Sequence, residues 1–176
     1  MKKYILTGII AITACFGVSA QDYKWWIGGT TTIWSEDNGT TVVVAPEIGR
    51  QLNSKFTIAA SIGYHSYSAK GDSYYNDYSG FIFNPYVRYT AFKKGVLFGF
   101  VDGGVELGLD DFDGLKVGLK PGIAVAITNR FVVAMQFGFI GYNDGKGFAS
   151  PIGSGKEGFG IDFSGYQSGL AFFYCF

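Results

Sequence analysis

The chain has 176 residues, which is enough for one domain and hardly for two. Hydrophobic residues make up 48% and aromatic residues 18%, while 14 basic and 14 acidic side chains give a formal net charge of zero. A neutral chain without a basic stripe offers no electrostatic reason to bind nucleic acid. It also contains no basic amphipathic helix that could lie on a membrane surface. The high apolar content therefore needs another explanation.

The N-terminus has the pattern of a cleaved secretory signal. Lys2 and Lys3 form a positive start, residues 4–16 are apolar, and residues 18–20 are small, as a signal peptidase requires. The apolar run is shorter than the roughly 20 residues that a membrane-spanning helix needs. We therefore predict a signal peptide at 1–20 and one mature domain at 21–176.

Cleavage before Gln21 would leave Cys175 as the only cysteine of the mature chain, so no disulfide within the chain is expected. His65 is the only histidine, and one imidazole with one thiol does not make a set of metal ligands. The sequence predicts neither a metal site nor a cofactor. One alternative stays open, because residues 12–15 resemble a lipobox that would make Cys15 a lipidated N-terminus.

After Ala20 the apolar pattern has a period of two, which is typical of β-strands and not of helices. Large residues share one face of each run, and glycine, alanine, hydroxyl and charged residues share the other. The small and charged face suits a narrow interior, while the apolar face suits lipid. In hydrocarbon only helices and closed barrels satisfy their backbone groups. The predicted strands are 23–34, 40–51, 56–67, 81–90, 97–109, 116–127, 131–139 and 161–176, with a bulge or bend at 161–167.

The connections between these runs differ in predicted length. Tight turns are expected at 53–54, 93–95 and 128–130, and longer linkers at 35–39, 68–79, 110–114 and 143–158. Short periplasmic turns that alternate with longer outer loops are typical of outer-membrane barrels. The sequence therefore predicts an all-β fold, an eight-stranded antiparallel up-and-down transmembrane barrel in the outer membrane of a bacterium.

Strand parity places several charged side chains on the inner face. They are Lys24, Glu47, Arg88, Asp102, Glu106, Lys116 and Lys120. Burying an unpaired charge costs roughly several kcal/mol of folding free energy. We therefore expect these side chains to form ion pairs with one another. If the hairpin at 110–114 is centred on Asp111, Asp102 faces Lys120 and Glu106 faces Lys116. We interpret this as an occluded, salt-bridged interior, because side chains nearly fill an eight-stranded barrel. The alternative is a narrow channel for ions or small solutes.

The sequence gives weaker support to catalysis or ligand binding than to a salt-bridged interior. Some outer-membrane barrels are lipid A acyltransferases or deacylases with a histidine and a serine, and Ser66 and Ser68 lie near His65 in sequence. Parity sends His65 inward, away from lipid, and no carboxylate is placed to orient it. Residues 110–114 lack the spacing of a calcium loop, and residues 153–156 lack that of a phosphate loop. We expect no enzymatic activity.

Aromatic residues gather near the predicted strand ends, as is typical of side chains at membrane interfaces. On the turn side they are Tyr23, Trp25, Tyr89, Phe92, Tyr174 and Phe176, and on the loop side Trp34, Tyr64, Tyr67 and Tyr142. The loop tyrosines Tyr74, Tyr75 and Tyr78 are candidates for contact with a surface partner. Packing over the barrel mouth is the plainer interpretation.

Three mid-strand proline segments and the C-terminus resemble one family. The segments are 45–49, 85–89 and 119–123, and Leu170, Phe172, Tyr174 and Phe176 alternate up to the last residue. Over 23–176 the chain resembles the small outer-membrane β-barrel domain family, whose eight-stranded members are often described as porin-family proteins. The resemblance implies a barrel surrounded by outer-membrane lipid, and we expect a monomer. It also implies that the barrel-assembly machinery reads the four alternating C-terminal residues, while fold alone says little about activity.

Overall fold

The computed structural model describes residues 25–36, 39–69, 77–111, 114–144, 157–163 and 169–176. These residues form ten β-strands and contain no helix. The strands are β1 (Trp25–Glu36), β2 (Gly39–Gln51), β3 (Phe56–Ala69), β4 (Tyr78–Lys94), β5 (Leu97–Asp110), β6 (Gly114–Ala126), β7 (Phe131–Gln136), β8 (Phe139–Asn143), β9 (Gly158–Asp162) and β10 (Gly169–Cys175). The predicted signal peptide at 1–20 and the lipobox cysteine lie outside the described residues.

The strands close into an antiparallel barrel with eight strand positions around its wall, and we call each position a stave. β1 to β6 are one stave each, β7 and β8 together form the seventh, and β9 and β10 form the eighth. The ladder closes where β1 pairs with β10 from Trp26↔Cys175 to Gly29↔Phe172. Trp25 and Phe176 extend this seam by exchanging backbone hydrogen bonds of 2.9 and 2.8 Å. The all-β, eight-stranded, up-and-down barrel predicted from the alternation is confirmed.

The outer surface of the barrel is apolar along most of the strands. Ile48, Leu119 and Phe172 are 47%, 48% and 60% exposed, and similar side chains face outward on every stave. Isolated exposed apolar residues are common, but a continuous belt of them marks an interaction surface. The prediction that the large residues share the outer face holds for most of the wall.

The interior also contains large residues, contrary to the prediction that it carries only small and charged ones. Trp26, Tyr86, Phe100, Phe139 and Phe173 are buried inside the barrel. Four of these rings lie opposite a glycine of the neighbouring strand, in the pairs Trp26↔Gly49, Gly28↔Phe173, Tyr86↔Gly104 and Phe100↔Gly122. A glycine at each paired position leaves the space that the ring occupies.

A bulge interrupts the seventh stave and reverses its side-chain parity. β6 pairs through Gly122↔Gln136 below the interruption and through Leu119↔Ile140 above it, so three residues of the seventh stave oppose two of β6. Gly138 has a φ of +81°, which only glycine adopts readily. Unbroken alternation along the predicted strand 131–139 would turn Phe139 outward with Phe137, but the bulge points Phe139 into the barrel, where it is buried.

The eighth stave is interrupted between Asp162 and Gly169, within the region where a bend was predicted. The pairs Phe139↔Asp162 and Gly169↔Gln136 leave two residues between them on the seventh stave and six on the eighth. Residues 164–168 lie outside the described residues. The change of register agrees with the irregular parity seen in the sequence.

The tight turns predicted at 53–54 and 128–130 are confirmed, the one predicted at 93–95 lies at 95–96 because Lys93 and Lys94 still pair within β4, and side chains hold the first two. Asn53 Oδ1 accepts hydrogen bonds from the backbone N–H of Lys55 and Phe56 at 2.8 and 2.9 Å. Thr128 Oγ1 accepts the N–H of Phe131 at 3.0 Å. Such local bonds favour turns over continued strand.

The predicted alternation of short and long connections is wrong at two of the four loop-side connections. β1 ends at Glu36 and β2 begins at Gly39, while β5 ends at Asp110 and β6 begins at Gly114. Polar strand residues continue the ladder further than the sequence pattern indicated; the hydroxyls of Ser35 and Thr40, for example, lie 3.3 Å apart. Only the connections β3–β4 and β8–β9 are long.

Candidate functional site

The candidate site is the polar interior of the barrel. Glu47 lies on β2, Arg88 on β4, Asp102 and Glu106 on β5, and Lys116 and Lys120 on β6, all on the inner face. Lys24, the remaining predicted interior charge, lies outside the described residues. The predicted interior residues that the structure describes comprise three carboxylates and three cations, and Asp162 of β9, opposite the buried Phe139, adds a fourth carboxylate to the inner face.

The β5–β6 hairpin has the predicted register. Asp102 lies opposite Lys120, and Glu106 lies opposite Lys116. The ion pairs do not follow the register of this hairpin, because Asp102 also lies opposite Arg88 of β4. The planar guanidinium binds both carboxylate oxygens, so Asp102 pairs with Arg88 while Lys120 reaches diagonally to Glu106.

Arg88 is the centre of the lower network, on the turn side of the interior. Its Nε lies 2.7 Å from Asp102 Oδ1 and its Nη2 lies 2.8 Å from Asp102 Oδ2. Gln136 Nε2 donates a third hydrogen bond to Asp102 at 2.6 Å. Arg88 Nη2 also donates to the Tyr86 hydroxyl at 3.3 Å, and that hydroxyl donates to Glu47. The network thus joins four strands of the barrel.

Aromatic rings surround the Arg88 guanidinium. Its Cζ lies 3.9 Å from the ring centroid of Phe100 and 5.7 Å from those of Trp26 and Phe173. Trp26 and Phe173 pack edge to face with their centroids 4.4 Å apart. Cation–π attraction is strongest for a desolvated cation, so the rings stabilise the buried charge while they fill the turn-side half of the barrel.

The upper network, on the loop side, is centred on Glu106. Lys120 binds one of its oxygens, and Lys116 Nζ lies 3.7 Å from the other. Lys116 Nζ also lies 4.4 Å from the ring centroid of Phe139, the residue that the bulge turns inward. The two lysines and the ring close the middle of the interior from the loop side.

The space left between the two networks is small. It is lined by Asn84, Tyr86, Asp102, Gly104, Glu106, Lys116, Gly118, Lys120, Gln136 and Phe139. It accepts about one water molecule. At this level the described side chains leave little free space in the interior.

His65 lies on the inner face of β3, opposite Val43 and Gly80, as parity predicts. Ser66 and Ser68 have the opposite parity, so they do not share its face. Within the described part of the chain, no group of three or more His, Cys, Asp and Glu side chains could hold a metal ion. The geometry brings no nucleophile to the imidazole from these two serines.

The aromatic residues predicted at the strand ends are only partly outward. Trp25, Tyr89, Phe92, Tyr174 and Phe176 lie at the turn end, and Tyr64 and Tyr142 face outward at the loop end. Tyr67 lies at the loop end as predicted, but its side chain is buried and does not face outward. It is 3% exposed and stacks on Tyr78 with ring centroids 5.2 Å apart. The side chain of Trp34 and the whole of Tyr23 lie outside the described residues.

The four alternating C-terminal residues lie on the outer face of β10 and the residue after it. Leu170, Phe172 and Phe176 are exposed, and Tyr174 is half-buried, with its hydroxyl accepting a hydrogen bond of 3.0 Å from Arg130 Nη1. This strand closes the barrel against β1. An assembly role for these residues remains a prediction.

Sequence reasoning overlooked two interior aromatic residues for which a signal existed. Phe100 has the same parity as Asp102 on β5, and Phe173 has the parity opposite to Phe172 on β10. Both therefore had to face inward once the other face was assigned to lipid.

No protein-family model matches the chain, and no curated protein matches it in sequence. In the part of the chain that the structure describes, no helix is long and apolar enough to cross a membrane. What the protein does must be inferred from its own geometry.

Proposed function

We propose that the protein is an integral barrel of the bacterial outer membrane with an occluded polar interior and a structural or surface-interaction role. The observation that carries this proposal is the distribution of polarity across a closed wall. A network of paired charges fills the inside, and apolar side chains cover the outside. A soluble barrel of this size is expected to have the reverse arrangement.

The apolar belt supports the membrane location on energetic grounds. Keeping apolar surface in water costs roughly 25 cal/mol for each Å², and the belt extends over every stave. At the turn end of the β1–β10 seam the ladder is closed from Trp26↔Cys175 to Gly29↔Phe172, and closure of this kind satisfies backbone groups in hydrocarbon. The predicted signal peptide would deliver the chain to the envelope, and the barrel-assembly machinery would insert it.

The packed interior supports a role other than transport or catalysis. Ion pairs and aromatic rings occupy the described lumen, and His65 shares no face with its neighbouring serines. The connections at the loop end, where β3–β4 and β8–β9 are long, are the parts that a surface partner would meet. We expect a monomer without a cofactor.

The refolded mature protein is expected to show a heat-dependent electrophoretic shift, as folded barrels do, and no steady conductance in a planar bilayer. The reason is that the Arg88 and Glu106 networks leave room for about one water molecule. Single-channel recording alongside the gel measures both properties. Discrete conductance steps from shifted protein would instead establish the narrow channel, and absence of any shift would contradict the membrane barrel.

A further inference from the structure

Among the described residues, exposed charged side chains at the two ends of the barrel have opposite sign. At the turn end Lys55, Lys93, Lys94 and Arg130 are all exposed, and we name these four residues the basic rim. No acidic side chain of the described residues lies at that end. The described acidic side chains outside the lumen lie at the loop end, and they are Asp77, Asp110, Asp111, Asp144 and Glu157.

Three acidic residues at the loop end have a structural explanation. Asp77, Asp111 and Asp144 each accept a backbone N–H from a neighbouring strand, those of Ala69, Ser79 and Leu115, at 2.7, 2.8 and 2.8 Å. These carboxylates satisfy amides where the ladder ends. No comparable function within the fold accounts for four cations at the other end.

The described residues offer the basic rim no acidic side chain as an ion-pair partner. The ion pairs of Arg88 with Asp102 and of Lys116 and Lys120 with Glu106 lie inside the lumen, away from the basic rim. Lys93 Nζ lies 4.9 Å from the ring centroid of Phe98, and Arg130 donates to the Tyr174 hydroxyl at 3.0 Å. These contacts orient the cations without neutralising them.

The basic rim also borders the apolar belt directly. Phe56 follows Lys55, Val96 lies two residues after Lys94, and Phe131 follows Arg130, and these three apolar residues are 42%, 59% and 55% exposed. Long basic side chains next to apolar surface place their stems on that surface and their charged ends in the polar layer. Around a membrane barrel, that layer contains the lipid headgroups.

We propose that the basic rim binds the phosphate groups of anionic phospholipids in the leaflet at the turn end, and so selects these lipids as neighbours. The inference rests on the membrane location proposed above. Lysine and arginine form charge-assisted hydrogen bonds to phosphate, and basic residues near a bilayer surface attract anionic lipid. The acidic loop end repels the same headgroups, so the selection applies to one leaflet.

The test measures which lipids contact the folded barrel. Spin-labelled phosphatidylglycerol and phosphatidylcholine are compared in bilayers that contain wild-type protein or the variant K55Q/K93Q/K94Q/R130Q. We expect wild type to favour phosphatidylglycerol several-fold at low salt and the variant to show a ratio of about one. The control D110N/E157Q removes two exposed charges from the loop end and should keep the wild-type ratio.

Each result separates the lipid proposal from the proposed function. The heat-dependent gel shift is recorded for all three proteins, and a shift in each shows that the barrel is intact. Equal lipid selectivity in wild type and the rim variant would overturn the proposal while the membrane barrel stands. A clear gain of phosphatidylglycerol selectivity in the loop-end control would overturn it too, since net charge alone would then explain the effect. A wild type that never shows the gel shift would overturn both.

Discussion

Replacing Arg88 with methionine is expected to lower the free energy of unfolding by about 3–5 kcal/mol, the usual effect of removing one partner of a buried ion pair. Asp102 is 3% exposed and receives two of its hydrogen bonds from Arg88. Without the guanidinium, the carboxylates of Asp102 and Glu47 remain inside the barrel and lose the cation around which their hydrogen-bond network is built. Tryptophan fluorescence of the detergent-folded protein during urea unfolding measures the change, because Trp26 packs beside Arg88.

The double variant R88M/D102N is the control for this prediction. Removing both charges leaves a neutral amide that Gln136 can still contact, so much of the lost stability should return. An R88M protein that unfolds at the wild-type urea concentration would contradict the described network. Equal losses in the single and double variants would show that packing around Arg88, and not its charge, stabilises the interior.

Replacing Gly122 with alanine is expected to destabilise the barrel by about 1–3 kcal/mol, the usual cost of overpacking a filled interior. A Cβ at this position would lie 2.7 Å from the carbonyl oxygen of Met135 and would also meet the Phe100 ring. The carbonyl belongs to the neighbouring strand, so the wall itself would have to move. The temperature at which the gel shift is lost measures the effect.

Gly160 provides a matched control on the inner face of β9. A Cβ there would meet no atom within 4 Å, so G160A should keep the wild-type transition temperature. Equal transition temperatures for G122A and wild type would contradict the close contact between Phe100 and the β6 backbone. Equal losses in both variants would mean that any side chain in the lumen is destabilising.

Local alternation was sufficient to predict much of this structure. Residues on opposite faces of a strand must differ when one face meets lipid and the other a narrow lumen, so the eight runs and their inner charges could be read directly. The β5–β6 register followed from placing Asp111 at the hairpin centre, where two opposite-charge pairs coincide. The fold and six interior charges were therefore predictable.

Alternation along single strands could not predict the bulge at Gly138 or the ion-pair partner of Asp102. A single glycine with positive φ, Gly138, reverses the parity of Phe139, and periodicity cannot reveal such a bulge. Arg88 and Lys120 both lie opposite Asp102, and which cation binds it depends on side-chain geometry across three strands. Hairpin register alone cannot decide between them.

The central claim, that the apolar face of the closed barrel meets lipid, is tested most directly by spin labels along β6 in a Cys175→Ser background. Nitroxides at Leu119, Ile123 and Val125 would report the outer face, and those at Lys120 and Ala124 the inner face. In lipid bilayers, oxygen is expected to relax the outer labels strongly, while neither oxygen nor a water-soluble nickel complex reaches the inner ones. Strong relaxation of the outer labels by the nickel complex instead would contradict a lipid-facing wall.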